Sequence, residues 1–280
     1  MFSDILLTVD FDRTLTGPDG NVPRRNLDAI RYFMEGGGKF TVNTGRSTGT
    51  FWKYLHSIPA NAPFILYNGS ATWEKGRLSR CIPIDLDVWE TMETVHRLYP
   101  QLNLEIQGED RHYHIDVHPK LDTLYDHQDW RYATAQWGQE VGPFLKFSLF
   151  GTPEKPLVSE LYKISTDELR LFEEAEQTIR RLFGEKVTVF RAAPRIIDVH
   201  AKGVSKIAAA RRLQAELGRS ILVCVGDGEN DIPMLDGADY AFCPGDAIIA
   251  ESYENVCPCG EGAVADVIYE KIPEILKNRP

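Results

Sequence analysis

Asp10 and Asp12 stand two positions apart in VDFDRTLTG, residues 9–17, directly after an apolar run. Carboxylates this close repel each other unless a cation lies between them. One member of such a pair can act as a nucleophile that takes a phosphoryl group. The other can act as a general acid and then as a base. An EF-hand calcium loop is excluded, because its sixth and twelfth positions need Gly and Glu and are Leu15 and Asn21 here. A plain acidic turn is the competing reading.

A second acidic pair, Asp227 and Asp231, follows another apolar run in VGDGENDIPML, residues 225–235. Hard carboxylate oxygens at such a place suit Mg²⁺, which needs few protein ligands. Ile232 stands where a calcium loop requires Gly, and Gly226 and Gly228 followed by Asp231 do not complete a dinucleotide-binding Gly-x-Gly-x-x-Gly. Two further segments are weaker taken alone. Asn43-Thr44-Gly45-Arg46 offers a hydroxyl and free amides that can hold a phosphoryl oxygen, or else a simple helix cap. In AKGVSKIAAARRL, residues 201–213, Lys202 or Lys206 can neutralise phosphate charge. Lys206, inside the helix start, is preferred, against the alternative of an ordinary solvated lysine.

The elements that carry these clusters alternate strand and helix. Short apolar runs at 5–9, 39–43, 64–67, 221–225 and 240–243 read as buried strands. Helical periodicity marks residues 24–35, 47–57, 203–217 and 231–236. This pattern predicts an α/β fold, with a Rossmann-like, doubly wound parallel-sheet core formed by residues 1–83 and 197–280. Each cluster follows or ends a core strand, so all four should converge on the crevice beyond the carboxyl ends of the strands. Residues 84–196 read differently, with helices near 86–98 and 166–183 and strands near 112–118, 144–150 and 187–191. That is the pattern of an inserted α+β cap domain.

Bulk composition narrows the partners. A formal net charge of −10 disfavours nucleic acid and anionic lipid surfaces. An acidic chain that handles phosphate must neutralise it locally, with a metal or a few placed cations. No run approaches the ~20 apolar residues of a membrane span, and the N-terminus reads as a strand rather than a signal peptide. Five Cys form no disulfide framework and imply reduced thiols in the cytoplasm. Cys257 and Cys259 lack the second pair that a zinc site would need. No protein partner is evident.

The ordered set D-x-D-x-T, T-G-R, K and G-D-x-x-N-D, with the Asn68-Gly69 turn and a large central insertion, resembles the haloacid dehalogenase superfamily. The spacing resembles its Cof-type branch, which carries an αβ cap. The resemblance implies a Mg²⁺-dependent phosphatase acting on a small phosphorylated metabolite such as a sugar phosphate, through an aspartyl phosphate. It implies Asp10 as nucleophile, Asp12 as acid/base, and Thr44 and Lys206 as phosphoryl ligands supported by Gly45 and Asn230. The metal would be held by Asp10, the Asp12 backbone carbonyl and Asp227, with Asp231 acting through water. Two residues depart from the family pattern: Arg13 replaces the usual Gly after the second Asp, and Ile207 a frequent Gly after the Lys. A phosphomutase on the same fold and a catalytically silent binding protein are the alternatives. A receiver domain is disfavoured by length.

In the cap, HYHIDVHP, residues 112–119, would as a strand place His112, His114, Asp116 and His118 on one face. A solvated sheet face is the expected reading and a specificity face the alternative. Arg191, Arg195 and Lys146 are further candidates for substrate contact, whereas Trp130 and Trp137 read as core.

Overall fold

The computed structural model describes residues 1–278. They fall into two compact units. The first takes Met1–Thr44, Tyr54–Ser79 and the chain from Ser205 onward, and the second takes Gly45–Lys53 and Arg80–Val204.

The first unit is built on a five-stranded parallel sheet, in the spatial order Glu254–Val256, Tyr240–Pro244, Ile221–Val225, Ile5–Val9, Lys39–Val42. Every residue of Ile5–Val9 and of Ile221–Val225 is buried. A strand covered on both faces has no polar side to present, so both sequences are apolar apart from Thr8. The strand order reverses between these two. From Ile5–Val9 the chain steps outward one way, and from Ile221–Val225 it steps the other way. Such a reversal opens a crevice beyond the carboxyl ends of the strands.

Helix Arg24–Glu35 buries Ala29, Ile30 and Phe33, one stripe at helical spacing. Helix Lys206–Glu216 starts where the Ser205 side chain accepts a hydrogen bond from the Ala208 amide. An isolated bridge between Asn43 and Ile65 leads to Phe64–Leu66, which pairs antiparallel with Ala71–Glu74, and that strand with Arg77–Ser79. In the turn between them Gly69 has φ +101°, and a Cβ there would lie 2.6 Å from the Ser205 carbonyl oxygen. Only glycine allows the turn to sit against the start of this helix.

The second unit carries a six-stranded sheet, ordered Val187–Ala193, Ile196–Ala201, Lys146–Phe150, Asn103–Gln107, His112–Ile115, Tyr132–Thr134. All pairs are antiparallel except the last. Alternation splits its central strands by face. Leu104, Ile106, Phe147, Leu149, Ile197 and Val199 join one apolar core with Met92 and Val95 of helix Val88–Leu98 and Phe172 and Ile179 of helix Thr166–Phe183. The intervening Glu105, Gln107, Lys146, Ser148, Asp198 and His200 are polar and also buried. Asp87 caps the first of these helices, and a Ser165–Glu168 capping box starts the second.

Three expectations differ from what the structure shows. The helix expected over 47–57 is reduced to Thr48–Phe51. Gly49 and the β-branched Thr48 and Thr50 are poor helix formers, and Ser47 and Thr48 spend their hydroxyls on the second unit's loops and sheet. The strand expected over 112–118 stops at Ile115, because Asp116 turns into the left-handed region at φ 51°. The inserted sheet runs on to Ala201, past the boundary expected at 196.

Candidate active site

The Ile5–Val9 strand delivers Asp10 to the crevice. The Asp10 amide still donates to the Val225 carbonyl, at 2.9 Å, so the residue is held in sheet register. The chain then folds into a tight turn over Phe11–Leu15, where the Leu15 amide donates to the Asp10 carbonyl at 3.2 Å. Turns closed by such an i→i+5 bond recur at functional sites. Asp12 lies half-buried in the turn.

The Ile221–Val225 strand delivers the second acidic pair. Gly226 allows the close return of the chain, since a Cβ there would lie 2.6 Å from the Asp231 Cβ. Asp231 Oδ2 accepts from the amides of Asp227 and Gly228, at 3.1 and 3.2 Å. These bonds lock the loop that presents Asp227. The hydroxyl of Thr14 donates to Asp227 Oδ1 at 3.2 Å, tying the two acidic loops together.

Lys206 reaches in from the first turn of its helix. Its Nζ donates to Asp10 Oδ1 at 2.5 Å and to Asp231 Oδ1 at 2.7 Å, and the residue is buried. The Asn43 side chain holds the Lys206 carbonyl at 3.0 Å. Thr44 is buried at the end of Lys39–Val42, its amide donating to the Ile65 carbonyl and its carbonyl accepting from the Asn68 amide. Asn230 is half-buried in the loop between Asp227 and Asp231. Gly45 belongs to the second unit, where its carbonyl accepts from Lys146 Nζ at 3.1 Å.

Electrostatics shows what this arrangement wants. Asp10, Asp227 and Asp231 each offer a carboxylate oxygen, all within 4.8 Å of one another and all on buried residues. Burial holds the Asp10 carboxyl well above the ordinary range; Lys206 opposes this, and Asp231 and Asp227 add to it. Burial, then Asp231, pushes Asp227 up to about 7. Burial works against the Lys206 ammonium, but Asp10 and Asp231 outweigh it and hold the group above its usual value. Three acids against the Lys206 ammonium and the more distant Arg13 guanidinium still leave negative charge that a hard divalent cation would neutralise. The donor set therefore fits such an ion, with Asp10, Asp227 and Asp231 as the carboxylates that would hold it.

Of the candidates in the second unit, His112 and His114 are not on a solvated face, whereas Asp116 and His118 are exposed. His112 and His114 are buried, at 2% and 1% exposure. His112 Nε2 bonds the Ser47 hydroxyl at 2.5 Å, and its Nδ1 lies 2.6 Å from the Tyr125 hydroxyl and 2.9 Å from Glu105 Oε1. His114 Nδ1 lies 2.6 Å from Asp122. Polar groups can be buried when they satisfy one another, and these largely do, although His114 Nε2 comes no nearer to Glu105 Oε2 than 3.5 Å and makes no hydrogen bond among the described residues. His118 caps helix Pro119–Gln128, its Nδ1 accepting from the Lys120 amide. Arg191 is bound to Glu176 and lies over the Phe172 ring, and Arg195 is bound to Glu168. Lys146 is paired with Asp198 at 2.9 Å. Trp130 packs on Tyr125 and Trp137 on Trp89. The residues that sequence reasoning left out are Ser47, whose partner His112 is 65 positions away, and Glu105 and Tyr125, which meet His112 from neighbouring elements. Thr14 and Asn43 were visible inside the motifs but had no role until their contacts were seen.

This buried network has a pH signature. Burial keeps the His200 imidazole well below the ordinary histidine value, and Lys146 beside it pushes the same way. Burial likewise lowers His112, whereas His114 is raised, its carboxylate neighbours Glu105 and Asp122 overcoming burial. A histidine kept neutral in the fold but protonated when unfolded makes stability fall as pH drops below about 6.5. His114 has the opposite sign, its contribution being lost as pH rises through its raised value. His200→Gln should therefore shrink the loss of urea-unfolding free energy between about pH 7.5 and about pH 5.5. An unchanged loss would assign it to other groups.

The sequence profile of the haloacid dehalogenase-like hydrolase family matches residues 7–251. The chain belongs to that family, and is accordingly an enzyme of the hydrolase class. It is 26% identical over 257 residues to mannosyl-3-phosphoglycerate phosphatase of Pyrococcus furiosus, a match covering 90% of this chain and 95% of the relative. It is 23% identical over 259 residues to the 5-amino-6-(5-phospho-D-ribitylamino)uracil phosphatase YcsE of Bacillus subtilis, with 90% and 88% covered. Among solved structures its fold is similar to that of the subclass IIB sugar phosphatase BT4131, with a TM-score of 0.77 at 18% identity and 96% and 99% covered. No helix among the described residues is long and apolar enough to cross a membrane.

Proposed function

We propose that this protein is a Mg²⁺-dependent phosphatase that hydrolyses a small phosphorylated metabolite, most simply a sugar phosphate, in the cytoplasm. The observation that carries the reading is the Asp10 carboxylate at the strand reversal, bonded to Lys206 and within ligand distance of Asp227 and Asp231. Phosphatase relatives over nine-tenths of the chain support the same class.

In this reading Asp10 attacks phosphorus and the bond to the substrate oxygen breaks, giving an aspartyl phosphate. The Asp12 carboxyl gives its proton to the departing alkoxide, then takes a proton from water as the water oxygen attacks phosphorus. The Asp10–phosphate bond breaks, and inorganic phosphate leaves with Asp10 restored. Lys206 and the Thr44 hydroxyl neutralise and orient the phosphoryl oxygens, with the Gly45 amide and Asn230 in support. Mg²⁺, when bound, supplies the remaining positive charge for an anionic substrate.

The test is phosphate release from a panel of sugar phosphates, nucleotides and an aryl phosphate, with Mg²⁺ and with chelator. Release that requires Mg²⁺ supports the reading. Release unaffected by chelator overturns the metal's part, and no release from any substrate overturns the phosphatase.

A further inference from the structure

Arg13 lies inside the loop that carries Asp10 and Asp12, and the proposed chemistry gives it no task. The turn places it beside the acidic cluster. Its backbone lies in the left-handed region, φ 57° and ψ 11°, and its amide donates to the Thr16 hydroxyl at 3.1 Å. Its Nε lies 3.8 Å from Asp227 Oδ2, with the Arg13 side chain 46% exposed and that of Asp227 11% exposed. Thr14, the next residue, donates to the other oxygen, Asp227 Oδ1. Both oxygens of Asp227 are thus engaged from one turn, one by a neutral hydroxyl and one by a cation.

The two cations of the site differ in kind. Lys206 is buried and makes two short bonds, to Asp10 and to Asp231. Arg13 meets Asp227 only at 3.8 Å and also acts on the Asp246 carboxyl from a half-exposed position, so its side chain can leave without opening the core. A divalent ion entering among Asp10, Asp227 and Asp231 would meet the guanidinium at Asp227. It must displace that contact or bear the repulsion.

Resting on the metal reading above, we propose that Arg13 competes with the divalent cation for Asp227 and so sets the cation concentration at which the site fills. A unit charge a few ångströms from a divalent ion, largely screened by solvent, changes affinity by about threefold to thirtyfold. Because Arg13 is half-exposed, the effect should shrink as salt rises.

The experiment is calorimetric titration of the full chain with Mg²⁺ alone, for wild type, Arg13→Asn, Arg13→Lys and Asp227→Asn. Asn is chosen because it tolerates the left-handed backbone and carries no charge. Arg13→Asn should bind Mg²⁺ about threefold to thirtyfold more tightly than wild type, with the gap closing at high salt. Arg13→Lys, which keeps the charge, should stay near wild type. The Mg²⁺-induced rise in unfolding temperature should reach its midpoint at correspondingly lower Mg²⁺ in Arg13→Asn. Equal or weaker binding by Arg13→Asn, with binding abolished in Asp227→Asn, would overturn this inference and leave the metal reading standing. Absence of Mg²⁺ binding by the wild type would overturn both.

Discussion

Asp10→Asn is expected to lower phosphate release by about 10⁴-fold or more, as removal of a covalent nucleophile does elsewhere, while the metal-free protein becomes no less stable at neutral pH. The two halves of this expectation share one cause. Asp10 is buried, and burial, reinforced by Asp231 and Asp227, holds its carboxyl well above the ordinary range against the pull of Lys206. A carboxyl whose pKa is raised on folding contributes stability that is full below about pH 4 and is lost as pH rises through the folded value. Asp227, pushed up to about 7, has the same sign. The contribution of Asp10 and Asp227 to the stability of the metal-free wild type should therefore be lost between about pH 4 and about pH 8, opposite in sign to that of His200, and Asn at position 10 removes part of that loss while still accepting from Lys206. Urea unfolding with chelator at both ends of this range, beside single-turnover phosphate release, reads both effects. Turnover near wild type would remove Asp10 from the nucleophile's role. A variant markedly less stable than wild type at the alkaline end would contradict the electrostatic account.

Lys206→Met should be the most damaging change to the fold. Methionine keeps the length and apolar stem but removes an ammonium that bonds two buried carboxylates. Breaking a buried ion pair by deleting one partner costs about 3–5 kcal/mol, because the remaining charge is left uncompensated in low dielectric. Here two carboxylates lose their partner at once, and a third lies within 4.8 Å. The metal-free variant should therefore unfold at much lower urea than wild type near neutral pH. Added Mg²⁺ should recover more stability in the variant than in wild type. Phosphate release should fall about 10²–10³-fold even with Mg²⁺ saturating, as for loss of one preorganised charge stabiliser. Unchanged urea resistance without metal would show that the lysine is solvated in the working protein, contrary to its burial.

How much of this was legible in the sequence follows from where the information sits. Residues 5–9 and 221–225 are buried on both faces, so their strands and the acids attached to their ends stood out as apolar runs followed by Asp10 and Asp227. Lys206 could be chosen over Lys202 because it lies inside the helix start. The second unit was harder to read. His112 and His114 looked like one side of a solvated strand, since polarity in a short window is normally a sign of exposure. Their burial is decided by Ser47, Glu105, Tyr125 and Asp122, and Ser47 and His112 are 65 positions apart. Asp116 then breaks the alternation with a left-handed backbone that no periodicity shows. The helix expected over 47–57 failed for a related reason. Its polar side chains found partners outside the helix, and a pattern within one segment cannot register that.

The division of the chain has a consequence for anyone who would exchange parts between relatives. Gly45–Lys53 is separated in sequence from the rest of the second unit by Tyr54–Ser79, so the backbone passes from one unit to the other at four points. Transplanting residues 80–204 alone would strand a nine-residue fragment whose Ser47 and Gly45 are fitted to His112 and Lys146 of the original. A faithful transplant needs two cassettes, and the shorter one begins at the residue after Thr44. The unit of inheritance in this protein is thus a discontinuous pair of segments, and domain shuffling by a single crossover on either side would not conserve it.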